Sequence, residues 1–417
     1  MQTFEWNGTW WLPSDTKKKG AGILRLSDSG NIILNLSGDF AMMPGDIPLI
    51  HGHILFGAIT LCQCSLIGAV SSLQYCNQTY SVQTALQGYH FDSLSEIMFS
   101  EFELKYSHLE DWFARRAFDV KSVLDDGNNF LTQVVSYNKP KSLQWDIDGV
   151  RITLDFDYTH EADSLSEVIL RHGCHITVTY VKEVDLNAFN LKTDFLLKSF
   201  FTFALGLPVR TLSIKGSSQS ITTEELLPNR DYPGGGYFRQ AHHPQIEIFR
   251  QRESTAVFGN TPSPDSMLFS FEDVENTFDT ILMNWFEKHA LLRPVYELYF
   301  AVVSSTEVFE QHHFLNLAQA VESYHRRVFG GSYDNNWKES TQYRSLIESL
   351  SLDISNGFRE SLKTKLQYLN EYSLKKRLEE VVRKGGSAAA YFVPNPRTFA
   401  ADVVHTRNYM THFSEEL

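Results

Sequence analysis

Thr398-Phe-Ala-Ala-Asp-Val-Val-His-Thr-Arg-Asn-Tyr-Met-Thr-His412 is the stretch whose reading decides the fold of the second half of the chain. It follows Pro394-Asn395-Pro396, a helix-hostile triplet, and Thr398 can cap free N–H groups, so a helix is expected to start there. Val403, Val404, Tyr409 and Phe413 supply an apolar side. His405, Asn408 and His412, spaced by three and four, form a polar stripe along the same helix. Arg407 and His412 have four residues between them. At about 100° per residue they stand roughly 140° apart around the axis, too far to share a ridge but close enough to flank one groove.

That pair carries a definite chemistry. A histidine with an ordinary pKa of about 6.5 moves a proton near neutrality. An arginine forks hydrogen bonds onto a phosphate and stabilises the charge that builds on its oxygens. Together they suit strand cleavage by an RNA's own 2′-hydroxyl, without a metal ion. The bland alternative is a helix with a surface arginine and a satisfied histidine.

Working back from this helix, residues from about 269 onward fit amphipathic helical templates: Glu272–His289, Pro294–Val308, Phe314–Phe329 and Gln342–Leu350. In the third, Phe314, Leu317, Ala318, Val321 and Val328 are expected to face the core, which leaves Glu322 and Arg326 one turn apart on a flanking line, where they read as an ion pair within the helix or as a brace for the last one. Gly330-Gly331 stops it. A basic cluster at Arg359, Lys363, Lys365, Lys375, Lys376, Arg377, Arg383 and Lys384 reads either as a phosphate-facing strip or as solvated helix faces.

The first part of the chain has a different grain. Phe4 to Leu12 reads as a strand, and Gly22–Leu26 and Ile32–Leu36 alternate across Asp28-Ser-Gly-Asn31 as a hairpin. Further strands are expected in Ile54–Ser65, Val82–Leu86, Phe102–Tyr106, Arg151–Tyr158, His175–Lys182 and Thr211–Ile214, which together suggest an antiparallel sandwich or barrel. Asp185 to Leu205 switches to helical spacing, with Asp185 as cap and Lys192, Asp194 and Lys198 on the wet face. Residues 216 to 265 are loop-like around a short strand, Ile246–Phe249. The triple glycine in Pro233-Gly-Gly-Gly236 lacks the Lys-Ser/Thr that a P-loop needs. The domain boundary is expected near residue 268.

Composition narrows the class. Of 417 residues, 42% are hydrophobic and 21% charged, as in an ordinary globular protein, and 30 phenylalanines and 18 tyrosines favour aromatic cores. Four cysteines are too few for a disulfide scaffold. Cys62-Gln-Cys64, His51-Gly-His53, His242-His243 and His312-His313 complete no ligand set, so neither metal nor cofactor is expected. No apolar leader follows Met1, and the longest apolar run, Phe200 to Val209, is about half a membrane span, so a cytoplasmic protein without membrane association is expected. The net charge is −13, yet residues 301–417 hold 14 basic and 14 acidic side chains, so the first 300 residues carry the whole excess. An acidic N-terminal part repels bulk nucleic acid and suits a protein partner.

The sequence resembles the ApeA-like HEPN family along most of its length. Phe314-Leu-Asn-Leu-Ala-Gln-Ala-Val-Glu-Ser-Tyr-His-Arg326 is similar to that family's signature helix, Asn370-Glu-Tyr-Ser-Leu-Lys-Lys-Arg-Leu378 to its next element, and Val403 to His412 to its R-x4-H helix. Phe4-Glu-Trp-Asn-Gly-Thr-Trp-Trp-Leu-Pro13, Ile50-His-Gly52 and Thr60-Leu-Cys62 resemble the N-terminal domain joined to such modules. The expected architecture is therefore α+β in two domains: a β-rich antiparallel sensing domain with one long helix (1–268), and an all-α HEPN helical bundle (269–417). HEPN domains continue with another helix after the motif, and this sequence stops at Leu417, so either it is shortened or the bundle closes differently.

The resemblance implies a ribonuclease of anti-phage defence acting on an RNA substrate. It implies a homodimer or higher oligomer with two R-x4-H helices facing each other, and a phage-derived trigger at the N-terminal domain. Arg407 would bind the scissile phosphate, His412 would move the proton, and Asn408 would orient either. Glu322, Arg326 and His405 would support the site, and Lys375, Lys376 and Arg377 would hold RNA. A catalytically silent nucleotide- or protein-binding module and a purely structural oligomerisation bundle stay open beside this reading.

Overall fold

Alternating apolar and polar residues in the first 90 positions build a closed barrel. In the computed structural model the described residues are 4–27, 30–38, 40, 46–71, 76–126, 130–161, 166–228, 237–251, 262–304, 309–334, 336–337, 340–350 and 354–413. Pro233-Gly-Gly-Gly236, Asp28 and Ser29 of the first hairpin turn, Thr261 and Val308 lie outside them. They divide into two compact units, Met1–Glu287 and Lys288–Leu417.

Strands β1 (Phe4–Leu12), β2 (Asp15–Leu26), β3 (Ile32–Ser37), β4 (Ile47–Ile54), β5 (Gly57–Ser71) and β6 (Cys76–Gln87) run in the order β6-β3-β2-β1-β4-β5, and β5 closes back on β6. Every pairing in the ring is antiparallel, and the hairpin read from sequence is present, with Gly22 opposite Leu36 and Leu26 opposite Ile32. Inside sits one apolar cluster around Trp10, Leu24, Leu34, Ile50, Leu61 and Val82. Trp10 fills the barrel, and glycines make room for it. A Cβ on Gly52 would lie 2.3 Å from its ring, one on Gly22 3.0 Å and one on Gly8 3.2 Å. The glycine of Ile50-His-Gly52 is therefore a packing requirement. Gly52→Ala is expected to destabilise the barrel by about 1–3 kcal/mol, the usual cost of overpacking. Urea unfolding followed by tryptophan fluorescence checks this, and unchanged stability would remove the packing account of this glycine.

The sheet continues beyond the barrel. The later strands are β7 (Met98–Tyr106), β8 (Phe118–Leu124), β9 (Phe130–Tyr137), β10 (Leu143–Ile147), β11 (Val150–Glu161), β12 (Ile169–Asp185), β13 (Thr211–Ser217), β14 (Thr223–Pro228), β15 (Tyr237–His242) and β16 (Gln245–Arg250). From β6 the order runs β16-β13-β7-β12-β11-β10, while β14–β15 and β8–β9 are separate two-stranded ribbons.

The extended sheet packs against helices α1 (Leu109–Phe113), α2 (Leu186–Phe189) and α3 (Phe195–Leu205) through a second, aromatic core. Trp112 is its hub, with Phe113, Phe201, Phe271 and Phe278 ring centroids within 4.8–5.6 Å. Its indole N–H donates to the Phe269 carbonyl at 2.8 Å.

Two expectations change here. The helix read as continuous over 185–205 is interrupted by a π turn at Asn190–Asp194. Asp185 caps as expected, accepting from the Asn187 and Ala188 N–H groups at 2.9 Å each. The wider turn rotates Asp194 off the wet face, and it is only 2% exposed. There it accepts from the Tyr106 hydroxyl at 2.7 Å and pairs with Arg250 at 2.9 Å. Burial and then the Asp194 charge push the Tyr106 hydroxyl well above the ordinary tyrosine pKa. The second change is the boundary. Helix α4 (Phe271–Val274) and the start of α5 (Phe278–Ser304) bring Phe271, Phe278, Leu282 and Phe286 into the aromatic core, so the first unit extends to Glu287 rather than ending near 268. Helix α5 also runs through Pro294, where two separate helices were expected.

The second unit continues with α6 (Glu310–Val328), α7 (Thr341–Glu348), α8 (Asn356–Tyr368), α9 (Leu374–Lys384), α10 (Gly386–Phe392) and α11 (Pro396–His412). The last helix packs chiefly against α9 and secondarily against α6. No described helix is long and apolar enough to cross a membrane.

Candidate active site

Helix α11 is started by Asn395, whose side chain accepts from the Thr398 N–H at 3.2 Å, with Pro396 at the first helical position. Thr398 is thus the capped donor and not the cap. Asparagine followed by proline is the stronger start, because proline's missing N–H is one that no carbonyl would have met. Ala400 is the residue this helix buries, with Val403 and Val404 half-buried. Tyr409 and Phe413, expected on the apolar side, are exposed. Gln311 of α6 ties the far end down, donating to the Met410 carbonyl at 3.1 Å.

Arg407, His405 and His412 are exposed and Asn408 is half-buried. Arg407 donates through Nη1 to Asn408 Oδ1 at 3.1 Å, so the asparagine holds the guanidinium in place. Among the described residues no carboxylate pairs with Arg407 or His412. A guanidinium without a carboxylate keeps its donors for an anionic ligand.

Glu322 and Arg326, one turn apart on α6, form an ion pair within that helix. Arg326 forks between Glu322 at 3.0 Å and Glu371 at 2.5 Å, so the pair ties α6 to the turn before α9 and makes no bond to α11. Burial would lower the Arg326 pKa, but the Glu371 and Glu322 carboxylates outweigh it and raise it.

The RNA-binding residues separate. Lys375 is exposed. Lys376 lies over the rings of Tyr372 and Tyr333 at 3.6 and 3.9 Å, which spends part of its charge on cation–π contacts. Arg377 is 1% exposed, and its reading as an RNA contact is corrected. It donates to the Tyr372 carbonyl at 2.9 Å, to Gly330 at 2.8 Å, to Gly331 at 3.2 Å and to His325 Nδ1 at 3.1 Å. A buried side chain whose donors end on three carbonyls and an imidazole, with the Glu371 carboxylate 3.8 Å away, is not free to reach a phosphate. The rest of the basic strip disperses as well, with Lys363 on Glu360 at 2.8 Å and Arg383 on Glu380 at 3.3 Å.

His325 went unnoticed in the sequence, yet it is fully buried at the centre of this unit. Because Nδ1 accepts from Arg377, Nε2 carries the proton and donates to Glu380 at 3.0 Å. That bond holds Glu380 below the ordinary glutamate range. Its position was readable: Ala318, Val321 and His325 follow the three-and-four spacing of the buried stripe, and the histidine stands where another apolar residue belongs. Leu317 and Val328, expected on that stripe, are exposed instead. Gly331, read only as a helix stop, has φ +102°, and a Cβ there would lie 2.6 Å from Arg377 Nη1.

No group of three or more His, Cys, Asp or Glu side chains among the described residues is placed to hold a metal ion. Neither curated proteins nor solved structures give a match to the chain. Two family models do match: ApeA N-terminal domain 1 over residues 5–285, and Apea-like HEPN over residues 315–417. A chain whose barrel-bearing first unit and R-x4-H helical second unit meet these two models in order belongs to the ApeA-like HEPN family.

Proposed function

We propose that the second unit is a metal-independent endoribonuclease of anti-phage defence, held quiet in the cytoplasm until a phage-derived protein reaches the N-terminal unit. The observation that carries this reading is the outward display of Arg407 and His412 on α11, with Arg407 braced by the half-buried Asn408 and no described carboxylate neutralising it. Arg407 binds the scissile phosphate and stabilises the charge of the transition state. His412 takes the proton of the attacking 2′-hydroxyl or gives one to the leaving 5′-oxygen. Lys375 adds positive potential, and the acidic first 300 residues favour a protein trigger over a second nucleic-acid site.

One such helix offers a single arginine and a single histidine, whereas in-line displacement at phosphorus benefits from proton-transfer groups on both sides. Two copies about a two-fold axis supply them, so the active species in this reading is a homodimer through the α11 faces bearing His405, Asn408 and His412. The test mixes an Arg407→Ala chain with a His412→Ala chain, each inactive alone. Heterodimers place one intact arginine and one intact histidine at the shared cleft, and partial activity returns if one of each suffices across the interface. A mixture that stays inactive although mass spectrometry shows heterodimers means that the cleft needs both residues from each chain, and a fully active protein that sediments as a monomer at assay concentration would overturn the composite site.

A further inference from the structure

The β8–β9 ribbon, like β14–β15, stands outside the continuous sheet of the first unit. Its two strands pair only with each other among the described residues, so each leaves one edge without a hydrogen-bonded neighbour. Only the base is anchored, where Phe118 meets Tyr137 at 5.4 Å and Tyr137 meets Tyr158 at 4.4 Å. Beyond the base both faces are exposed and apolar: Val120, Leu124, Phe130, Leu131, Val134 and Val135 are each at least 45% exposed. A lone two-stranded ribbon is marginal in water, and an open edge beside contiguous apolar side chains is a template for another strand.

The charge pattern of β8 says which strand fits. Reading Phe118-Asp-Val-Lys-Ser-Val-Leu124, antiparallel pairing of the strand with a second copy of itself about Val120 sets Asp119 opposite Lys121 of the other copy, twice. The same register sets Val120 opposite itself and Phe118 opposite Ser122. Asp119 already accepts from Asn138 through one oxygen at 2.7 Å, which leaves the other for the lysine. We propose that β8 is a self-association edge: two copies of this chain join through their β8 strands into a four-stranded sheet, β9-β8 of one copy continuing into β8-β9 of the other. The sheet unites the Val120 and Val135 side chains of both copies on one face and closes two edges at once. This interface is separate from the α11 face and does not depend on ribonuclease activity.

The register makes the test specific. In an antiparallel pair a residue on the two-fold axis meets its own copy at a distance a disulfide can span, whereas residues off the axis do not. Full-length Val120→Cys protein is expected to form a disulfide-linked dimer under mild oxidation, mapped by mass spectrometry to residue 120 in both chains. Ser122→Cys lies on the same strand and the same side and is expected to remain unlinked. An Asp119→Lys chain is expected to self-associate at this edge about tenfold more weakly by sedimentation. The charge-swapped Asp119→Lys/Lys121→Asp chain is expected to recover. Equal cross-linking at 120 and 122, or none at 120 in protein that sediments as a dimer, would overturn the edge while leaving the α11 reading intact. Loss of cleavage in an Arg407→Ala chain that still cross-links at 120 would leave both standing. Pairing of this edge with a different protein only, the wild-type chain remaining monomeric, would also overturn it.

Discussion

Arg407→Ala and His412→Ala are each expected to lower RNA cleavage by at least about 10²–10³-fold, the range for removing a positioned electrostatic or proton-transfer group. The melting temperature should move by no more than about 2 °C, as for surface substitutions worth under about 0.5 kcal/mol. Both expectations follow from exposure. Neither side chain fills the core, and the contact Arg407 makes through its guanidinium is a 3.1 Å bond to the neighbouring Asn408. Asn408→Ala should cost less, because it removes the brace and leaves the charge. Cleavage of a labelled RNA, with thermal unfolding of the same preparations, separates chemistry from folding. A variant that loses activity only because it melts would make its residue structural.

The opposite result is expected at Arg377, which motif reading had grouped with Lys375 and Lys376. Truncation to alanine strips the part-buried carbonyls of Tyr372, Gly330 and Gly331 and the buried Nδ1 of His325 of a donor. The His325 acceptor lies in the core and its loss costs about 1–3 kcal/mol, and the void left by the 1% exposed Arg377 side chain adds to it, a large share of a domain's stability. Arg377→Ala is expected to unfold the helical unit or lower its melting temperature by about 10 °C or more. Arg377→Lys should rescue little, because one ammonium cannot reach acceptors spread around a guanidinium fork. Circular dichroism melts of the full chain check this. A normally stable Arg377→Ala protein with weakened RNA affinity would restore the RNA-contact reading and contradict the buried network.

Arg377 also marks where sequence stops being legible. Local signals worked: the Asp185 cap, the hairpin pairing Leu26 with Ile32, and the helix carrying the R-x4-H pattern all depend on residues a few positions apart. Partner choice did not follow from them. Asp194 looked wet on a helical wheel and is buried because Arg250 and Tyr106, distant in sequence, neutralise and bond it. Arg377 looked like one more basic residue until Gly331 folded back against it. The barrel is closed by β5 on β6 and by β1 on β4, and the alternation within each strand is the same in a sandwich. The boundary moved for a similar reason, since the aromatic spacing of Phe271, Phe278 and Phe286 does not say which core receives them. Of the proposed site, Arg407, Asn408 and His412 were readable as a pattern, and the outward display of Arg407 and His412 could be seen only once Ala400 was known to face inward.

The central claim is that α11 promotes attack by the RNA's own 2′-hydroxyl without a metal ion. The measurement that bears on it most directly is the chemical identity of the 3′ ends released by the purified full-length chain in excess chelator. Undiminished cleavage and 2′,3′-cyclic phosphate ends are expected, and neither is expected in Arg407→Ala and His412→Ala reactions. Cleavage that stops in EDTA and returns with magnesium, on an RNA shown to keep its fold, or products ending in 3′-hydroxyl groups, would contradict it.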